Sequence, residues 1–151
     1  MSGSLVIGVG NRDRGDDGAG LEVARRLGQR GGADVAVLEA DGDASTLIEA
    51  WAGRPRVVIV DAAASGQRRP GSVWRLDARQ GPLPARQFSS STHAWGVAEA
   101  VEMARALGSL PESLVVFGIE GRSFGFGEGL SAEVEAAIDE AVEQVLCEVE
   151  G

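Results

Sequence analysis

Residues 8–20, with the sequence GVGNRDRGDDGAG, decide the fold of this chain. They follow a short apolar run at 5–7 and precede a helical pattern of apolar residues at 21–27. A strand, a glycine-rich turn and a helix in this order are typical of open α/β sheets, in which ligands bind beyond the carboxyl ends of the strands. This acidic turn (residues 10–18) carries three carboxylates, Asp13, Asp16 and Asp17, where a phosphate-binding turn avoids negative charge.

The rest of the chain alternates between strand and helix patterns. A continuous β-branched run at 56–61 indicates a fully buried strand, and the alternating run at 72–77 indicates an edge or antiparallel strand. With these, the patterns predict strands at about 4–9, 33–39, 56–61, 72–77 and 114–119, helices at about 17–30, 44–52, 93–107 and from 131 onward, and loops at 62–71 and 78–92. This order predicts a three-layer α/β fold, with a mostly parallel sheet between helices on both faces, in a single domain over 1–151.

The composition excludes several classes of function. A net charge of −9 disfavours nucleic acid and anionic membrane surfaces as partners. No segment approaches the ~18–20 apolar residues of a membrane span, and the start of the chain lacks the basic and apolar regions of a signal peptide. We therefore expect a cytoplasmic protein. The single cysteine, Cys147, excludes an internal disulfide and a metal site built from several cysteines.

Three interpretations that involve phosphate are disfavoured. A dinucleotide fingerprint would place its third glycine where Asp13 stands, and a Walker loop would place its lysine where Asp16 stands. A phosphoacceptor receiver domain pairs two acidic residues after the first strand with an aspartate after the third, an outline that Asp16, Asp17 and Asp61 match. Such domains also need a lysine after the last strand, and this chain contains no lysine.

Three potential metal ligands are expected to meet at the carboxyl edge of the sheet. Asp17 follows the first strand, Asp61 ends the buried strand, and His93 opens the third helix. Two carboxylates and one imidazole suit a divalent first-row metal ion, and a helix N-terminus favours the neutral imidazole that a metal requires. Each residue also has a structural interpretation. Asp61 can hold a turn, Asp16 or Asp17 can cap the first helix, and a lone histidine is commonly a surface or core residue.

Five short segments occur in a recognisable order along nearly the whole chain. They are Gly8-Val-Gly-Asn11-…-Gly15-Asp-Asp17-Gly18-x-Gly20, Val-Val-Ile-Val-Asp61-Ala, Ser-Ser-Thr-His93, Gly118-Ile-Glu120 and Gly129-Leu-Ser131. Together they resemble the nickel–iron hydrogenase maturation proteases. The first segment, at the acidic turn, is highly specific, and the others support it.

The resemblance implies a twisted five-stranded sheet flanked by helices, and it implies an endopeptidase. Proteins of this family remove a short C-terminal extension from the precursor of the hydrogenase large subunit once nickel has been inserted. In that family the positions matching Asp17, Asp61 and His93 contact the nickel, which the substrate supplies. We therefore expect the large-subunit precursor as the partner, and a monomeric enzyme.

The sequence departs from the pattern of the family at two places, and the second bears on the choice of partner. Some members of the family carry glutamate at the position of Asp17, and many read Asp-x-Gly-Thr where this chain has Asp41-Gly42-Asp43-Ala44-Ser45-Thr46. The second difference suggests a different hydrogenase subgroup. In the loop at 121–129, Phe124 and Phe126 either contact a peptide partner or fill gaps in the core.

The sequence lacks the familiar protease signatures, since it has no Ser-His-carboxylate pattern and no H-E-x-x-H helix. Cys147 is a poor nucleophile, because it falls opposite the apolar stripe of the last helix and has no second histidine nearby to activate it. Hydrolysis is then assisted by a metal or a carboxylate, with Asp17, Asp61 and His93 as catalytic residues and Asp16 as either a water-activating base or a helix cap. The alternative is a non-catalytic metal-binding accessory protein or metallochaperone that uses the same three ligands.

Overall fold

The structure, a computed structural model, describes residues 3–30, 35–83 and 96–150. Within these residues one sheet contains five strands, which are β1 (Ser4–Val9), β2 (Val35–Ala40), β3 (Arg56–Ala63), β4 (Val73–Asp77) and β5 (Ser113–Glu120). Their order across the sheet is β2-β1-β3-β5-β4. Neighbouring strands are parallel except β4, which pairs antiparallel with β5 at one edge, as its alternating sequence predicts.

Helices cover both faces of this sheet. They are α1 (Ala19–Arg30), α2 (Ala44–Trp51), α3 (Gly96–Leu107) and α4 (Ala132–Glu150). α1 packs beside α4 on one face, and α2 packs beside α3 on the other. The three-layer α/β fold with a mostly parallel, five-stranded sheet is therefore confirmed. No helix in the described ranges has the length and apolar character needed to cross a membrane.

The central strands are buried on both faces, which explains their continuous apolar sequences. Ile7 and Ile59 pack into the core cluster beneath α2 and α3, whereas Val6 and Val58 pack into the cluster beneath α1 and α4. Because side chains alternate along a strand, Asp61 lies on the same face as Ile59. The sheet therefore directs Asp61 toward the layer of α2 and α3, two residues before β3 ends at Ala63.

Some predicted boundaries are wrong or lie outside the described residues. β3 continues to Ala63 instead of ending at 61, because its last two residues still pair with Ile119 and Glu120 of β5. The helix predicted from 17 begins at Ala19, after a 3₁₀ turn over Gly15–Gly18. The predicted starts of the second strand and the third helix fall at 31–34 and 84–95, outside the described residues.

Side chains cap the N-termini of two helices. The Asp43 carboxylate accepts a hydrogen bond from the amide of Thr46 (3.1 Å) at the start of α2. The Ser131 hydroxyl accepts one from the amide of Val134 (3.4 Å) at the start of α4. Capping side chains satisfy amides that the first turn of a helix leaves without intrahelical partners. Both helices therefore begin where the sequence places them.

Candidate functional site

The acidic turn closes on itself directly after β1. The amide of Asn11 donates to the carbonyl oxygen of Asp17 (3.2 Å), and the amide of Asp17 donates to the carbonyl oxygen of Arg14 (3.0 Å). Gly10 makes this closure possible, since a Cβ atom there would lie 1.9 Å from the carbonyl oxygen of Asp17. The 3₁₀ turn that carries Asp17 also contacts β3. The turn therefore holds Asp17 next to the strand that carries Asp61.

Asp61 lies inside β3, not at its end as the sequence predicted. Its register partner on β5 is Gly118, where a Cβ atom would lie 2.7 Å from the indole ring of Trp74. The guanidinium carbon of Arg68 lies 3.9 Å from the centroid of a ring of that indole. A glycine thus leaves room for Trp74 beside the strand position of Asp61. The sequence analysis did not place Trp74 beside Asp61, because this proximity arises from the pairing of β5 with both β3 and β4.

Asp17 and Asp61 form a buried acid pair. Their exposed fractions are 1% and 0%, and none of their four carboxylate oxygens has a hydrogen-bond partner among the described residues. Burial raises the pKa of Asp61 well above its ordinary value, and the charge of Asp17 raises it further. Burial also raises the pKa of Asp17, against the opposing charge of Arg14. Ionising both carboxylates is therefore costly unless a cation compensates them.

Asp16 is equally buried but is fully hydrogen-bonded. Its exposed fraction is 0%. Its carboxylate accepts four hydrogen bonds, from the amides of Arg122, Ser123 and Ser131 and from the hydroxyl of Ser131. A carboxylate offers about four acceptor positions, so these donors occupy them. Asp16 therefore does not cap α1, and its carboxylate is engaged with the segment between β5 and α4.

Glu120 is a second buried and hydrogen-bonded carboxylate that the sequence analysis did not single out as a structural anchor. Its exposed fraction is 2%, and it accepts hydrogen bonds from the amide and hydroxyl of Ser65 and from the amide of Gly66 (2.8–3.2 Å). These contacts hold the segment that follows β3. Among the buried carboxylates at this end of the described sheet, only the acid pair lacks hydrogen-bond partners.

His93, the third predicted ligand, lies outside the described residues. The helix that follows it begins at Gly96, which packs against the turn after β2, since a Cβ atom at Gly96 would lie 2.3 Å from the carbonyl oxygen of Gly42. The N-terminus of α3 therefore lies at the carboxyl edge of the sheet. Within the described residues, no group of three or more histidine, cysteine, aspartate or glutamate side chains could hold a metal ion.

The remaining candidate residues have separate positions. Phe124 is partly buried and packs against the core, whereas Phe126 is 78% exposed, with the guanidinium carbon of Arg14 5.4 Å from its ring centroid. Phe126 is thus exposed enough to contact a partner, whereas Phe124 belongs to the core. Cys147 is exposed on α4, away from the acid pair at the opposite end of the sheet.

The fold and the acid pair can now be compared with known proteins. A family model described as hydrogenase maturation protease matches residues 21–148. The hydrogenase 2 maturation protease of Escherichia coli strain K12 is 32% identical over 145 residues, which cover 94% of this chain and 87% of that protein.

Solved structures agree with the sequence relatives. The hydrogenase maturating endopeptidase HybD of Escherichia coli superposes with a TM-score of 0.83 at 30% identity, covering 99% of this chain and 93% of that one. The nickel–iron hydrogenase maturation protease HybD of Thermococcus kodakarensis superposes with a TM-score of 0.75 at 29% identity, covering 96% and 97%. The chain is therefore an α/β peptidase. It belongs to the hydrogenase maturation protease family.

Proposed function

We propose that this peptidase removes the C-terminal extension of a nickel–iron hydrogenase large-subunit precursor, and that it does so after nickel has been inserted into the precursor. Membership of the hydrogenase maturation protease family supports the class of reaction. The acid pair supports the requirement for a metal ion in the substrate. The nickel is part of the substrate and not a resident cofactor of the enzyme.

The observation that carries this proposal is the acid pair itself. Two neighbouring carboxylates, both almost completely buried and lacking hydrogen-bond partners among the described residues, are costly to keep in a folded protein. A divalent cation presented by the substrate would compensate both charges at once. The same site would gain nothing from a precursor without metal. Asp17 and Asp61 would thus distinguish a loaded precursor from an empty one.

His93 completes the proposed site as a nitrogen ligand. Its inclusion is supported by the position of α3, which starts three residues later at the edge of the sheet where the acid pair lies. An imidazole with two carboxylates gives a donor set that nickel accepts. With only three side-chain donors, the isolated enzyme should bind free nickel weakly, so the remaining ligands must come from the precursor.

Cleavage requires a water molecule to attack the scissile carbonyl carbon. The carbon–nitrogen bond then breaks, and the leaving amine takes up a proton. In the proposed reaction a carboxylate of the acid pair, Asp17 or Asp61, accepts the proton from the attacking water and returns it to the amine. Asp16 does not fit this role, because its acceptor positions are occupied by four donors.

A cleavage assay with purified precursor tests the function. The large-subunit precursor of the same organism is prepared with and without nickel, incubated with the enzyme, and analysed by mass spectrometry. We expect removal of the C-terminal extension from the nickel-loaded precursor only. Equal trimming of both forms would contradict the role of nickel. Tight nickel binding by the enzyme alone, with no trimming of either precursor, would favour the metallochaperone instead.

A further inference from the structure

Asp16 connects the acidic turn to the β5–α4 loop (residues 121–131) through its side chain. Its Oδ2 atom accepts hydrogen bonds from the amides of Arg122 (2.7 Å) and Ser123 (3.0 Å), and from the hydroxyl of Ser131 (2.9 Å). Its Oδ1 atom accepts one from the amide of Ser131 (2.7 Å). Hydrogen bonds to a buried charged acceptor are stronger than those between neutral groups. This one side chain therefore holds both ends of the loop.

The backbone joins the same two segments. The amide of Asp16 donates to the carbonyl oxygen of Ser123 (2.8 Å), and the amide of Gly15 donates to that of Glu128 (3.2 Å). In the opposite direction, the amide of Gly127 donates to the carbonyl oxygen of Asp13 (2.9 Å). The acidic turn and the β5–α4 loop therefore form one hydrogen-bonded unit, with the side chain of Asp16 enclosed within it.

The packing around Asp16 is close, and it requires a glycine at position 121. A Cβ atom at Gly121 would lie 3.0 Å from the Cβ atom of Asp16 and 2.5 Å from the ring of Phe124. Ser131, which donates twice to Asp16, is also the residue that caps α4. The carboxylate therefore sits at the N-terminus of a 19-residue helix, where the helix dipole stabilises a negative charge.

We propose that Asp16 is a positioning residue for the reaction, acting through its neighbour Asp17. The carboxylate of Asp16 anchors the acidic turn to the β5–α4 loop, and this anchor sets where the carboxylate of Asp17 lies relative to Asp61. Asp17 is one peptide bond away, and its own amide is held by the carbonyl oxygen of Arg14 in the same turn. Asp16 itself contacts neither the substrate nor its metal. The proposal rests on the proposed function, since it assigns a task to Asp17.

The test compares Asp16→Asn with Val145→Ala. Asparagine has nearly the shape of aspartate but carries no charge. Because both carboxylate oxygens of Asp16 accept hydrogen bonds, the NH₂ group of the asparagine must face at least one N–H or O–H donor. Val145 is fully buried in α4, far along the helix from Ser131, so its truncation lowers stability without touching the anchor. Both variants are assayed on nickel-loaded precursor well below their melting temperatures. A displaced Asp17 should reduce kcat about 10- to 100-fold in Asp16→Asn.

The outcomes separate positioning from general stability. We expect KM of Asp16→Asn to change less than about threefold, and Val145→Ala to keep both constants near wild type. If Asp16→Asn retains the kcat of Val145→Ala, the proposal is overturned. Should Asp16→Asn fail to fold, Ser131→Ala replaces it and is compared with Val145→Ala at matched stability, because it removes one of the four donors to Asp16 together with the cap of α4 and leaves the carboxylate. An unchanged kcat in that variant would equally overturn the proposal.

Hydrogen exchange distinguishes this proposal from the proposed function. Loss of the anchor should accelerate exchange at the amide of Asp17 about tenfold or more in Asp16→Asn, but not in Val145→Ala. If the wild-type enzyme does not trim the nickel-loaded precursor, the proposed function is wrong, and the positioning of Asp17 is then decided by this measurement alone. An Asp17 amide that exchanges at the wild-type rate in Asp16→Asn would refute it.

Discussion

Among the described residues, four buried carboxylates lie at one end of the sheet, and hydrogen bonding divides them into two kinds. Asp16 and Glu120 each accept several hydrogen bonds and hold segments of chain in place. Asp17 and Asp61 accept none from the described residues. Buried polar groups are nearly always satisfied in folded proteins, so the exceptions are the residues most readily explained by a task other than folding.

At the scale of single residues, the acid pair predicts that the stability of the protein depends on pH. Because the pKa of Asp61 is raised in the folded protein, the native state holds its proton to a higher pH than the unfolded chain, whose aspartates titrate near pH ~3.9. The free energy of unfolding therefore falls as the pH rises from that value through the folded pKa. An asparagine at this position does not ionise, so Asp61→Asn should gain stability relative to wild type as the pH increases from about 4 to about 8.

Thermal unfolding at several pH values measures this gain. We expect the difference in Tm between Asp61→Asn and wild type to grow by at least about 2–4 °C, which is the shift produced by about 1 kcal/mol in a domain of this size. Asp13→Asn is the control, because Asp13 is exposed in the same turn. If the difference in Tm between Asp61→Asn and wild type is the same at every pH, ionisation of Asp61 does not lower the free energy of unfolding, and the prediction is wrong.

At the scale of elements, the close contact of α1 with the sheet determines where the acidic turn can lie. A Cβ atom at Gly20 would lie 2.2 Å from the carbonyl oxygen of Val60 and 2.7 Å from that of Val9. The first turn of α1 therefore rests directly on β1 and β3. Since α1 follows the acidic turn without a linker, this contact also holds Asp17 against β3.

Two glycines of α1 give a matched pair of substitutions. Gly20→Ala should force the helix away from the sheet and lower the free energy of unfolding by about 2 kcal/mol or more. Gly28→Ala should raise it by about 0.5–1 kcal/mol, since alanine favours the helix and a Cβ atom there would meet no described atom within 4 Å. Urea denaturation measures both. Equal changes in the free energy of unfolding for the two substitutions would mean that the close contact of Gly20 with the sheet does not contribute to stability.

At the scale of the whole molecule, the two ends of the sheet differ in their electrostatics. At the amino end, Arg56 donates to the carbonyl oxygens of Glu148 and Val149 (3.2 and 3.1 Å) and so satisfies the C-terminus of α4. At the carboxyl end, the acidic turn and β3 carry the buried acid pair, whose carboxylate oxygens have no hydrogen-bond partner among the described residues. The carbonyl groups at the end of α4 thus have a hydrogen-bond donor, whereas burying the acid pair at the other end costs folding free energy. We therefore expect a partner that carries a cation to bind at the carboxyl end.

The sequence predicted the three layers, the mostly parallel sheet and the antiparallel strand at its edge, because hydrophobic patterns indicate which residues are buried. It missed the last two residues of β3, Ala62 and Ala63, since alanine carries little strand preference and the pairing with β5 is not visible locally. It also left the role of Asp16 open, because the partners of that carboxylate lie more than a hundred residues away. The inclusion of His93 stays a prediction.

The most direct test of the account compares three aspartate-to-asparagine variants in the trimming of nickel-loaded precursor. Asp17→Asn and Asp61→Asn remove one charge each from the acid pair, whereas Asp13→Asn removes an exposed charge from the same turn. We expect the first two to lose at least about 100-fold in kcat/KM and Asp13→Asn to stay within about twofold of wild type. Normal trimming by both Asp17→Asn and Asp61→Asn would contradict the assignment of the buried acid pair as the working site.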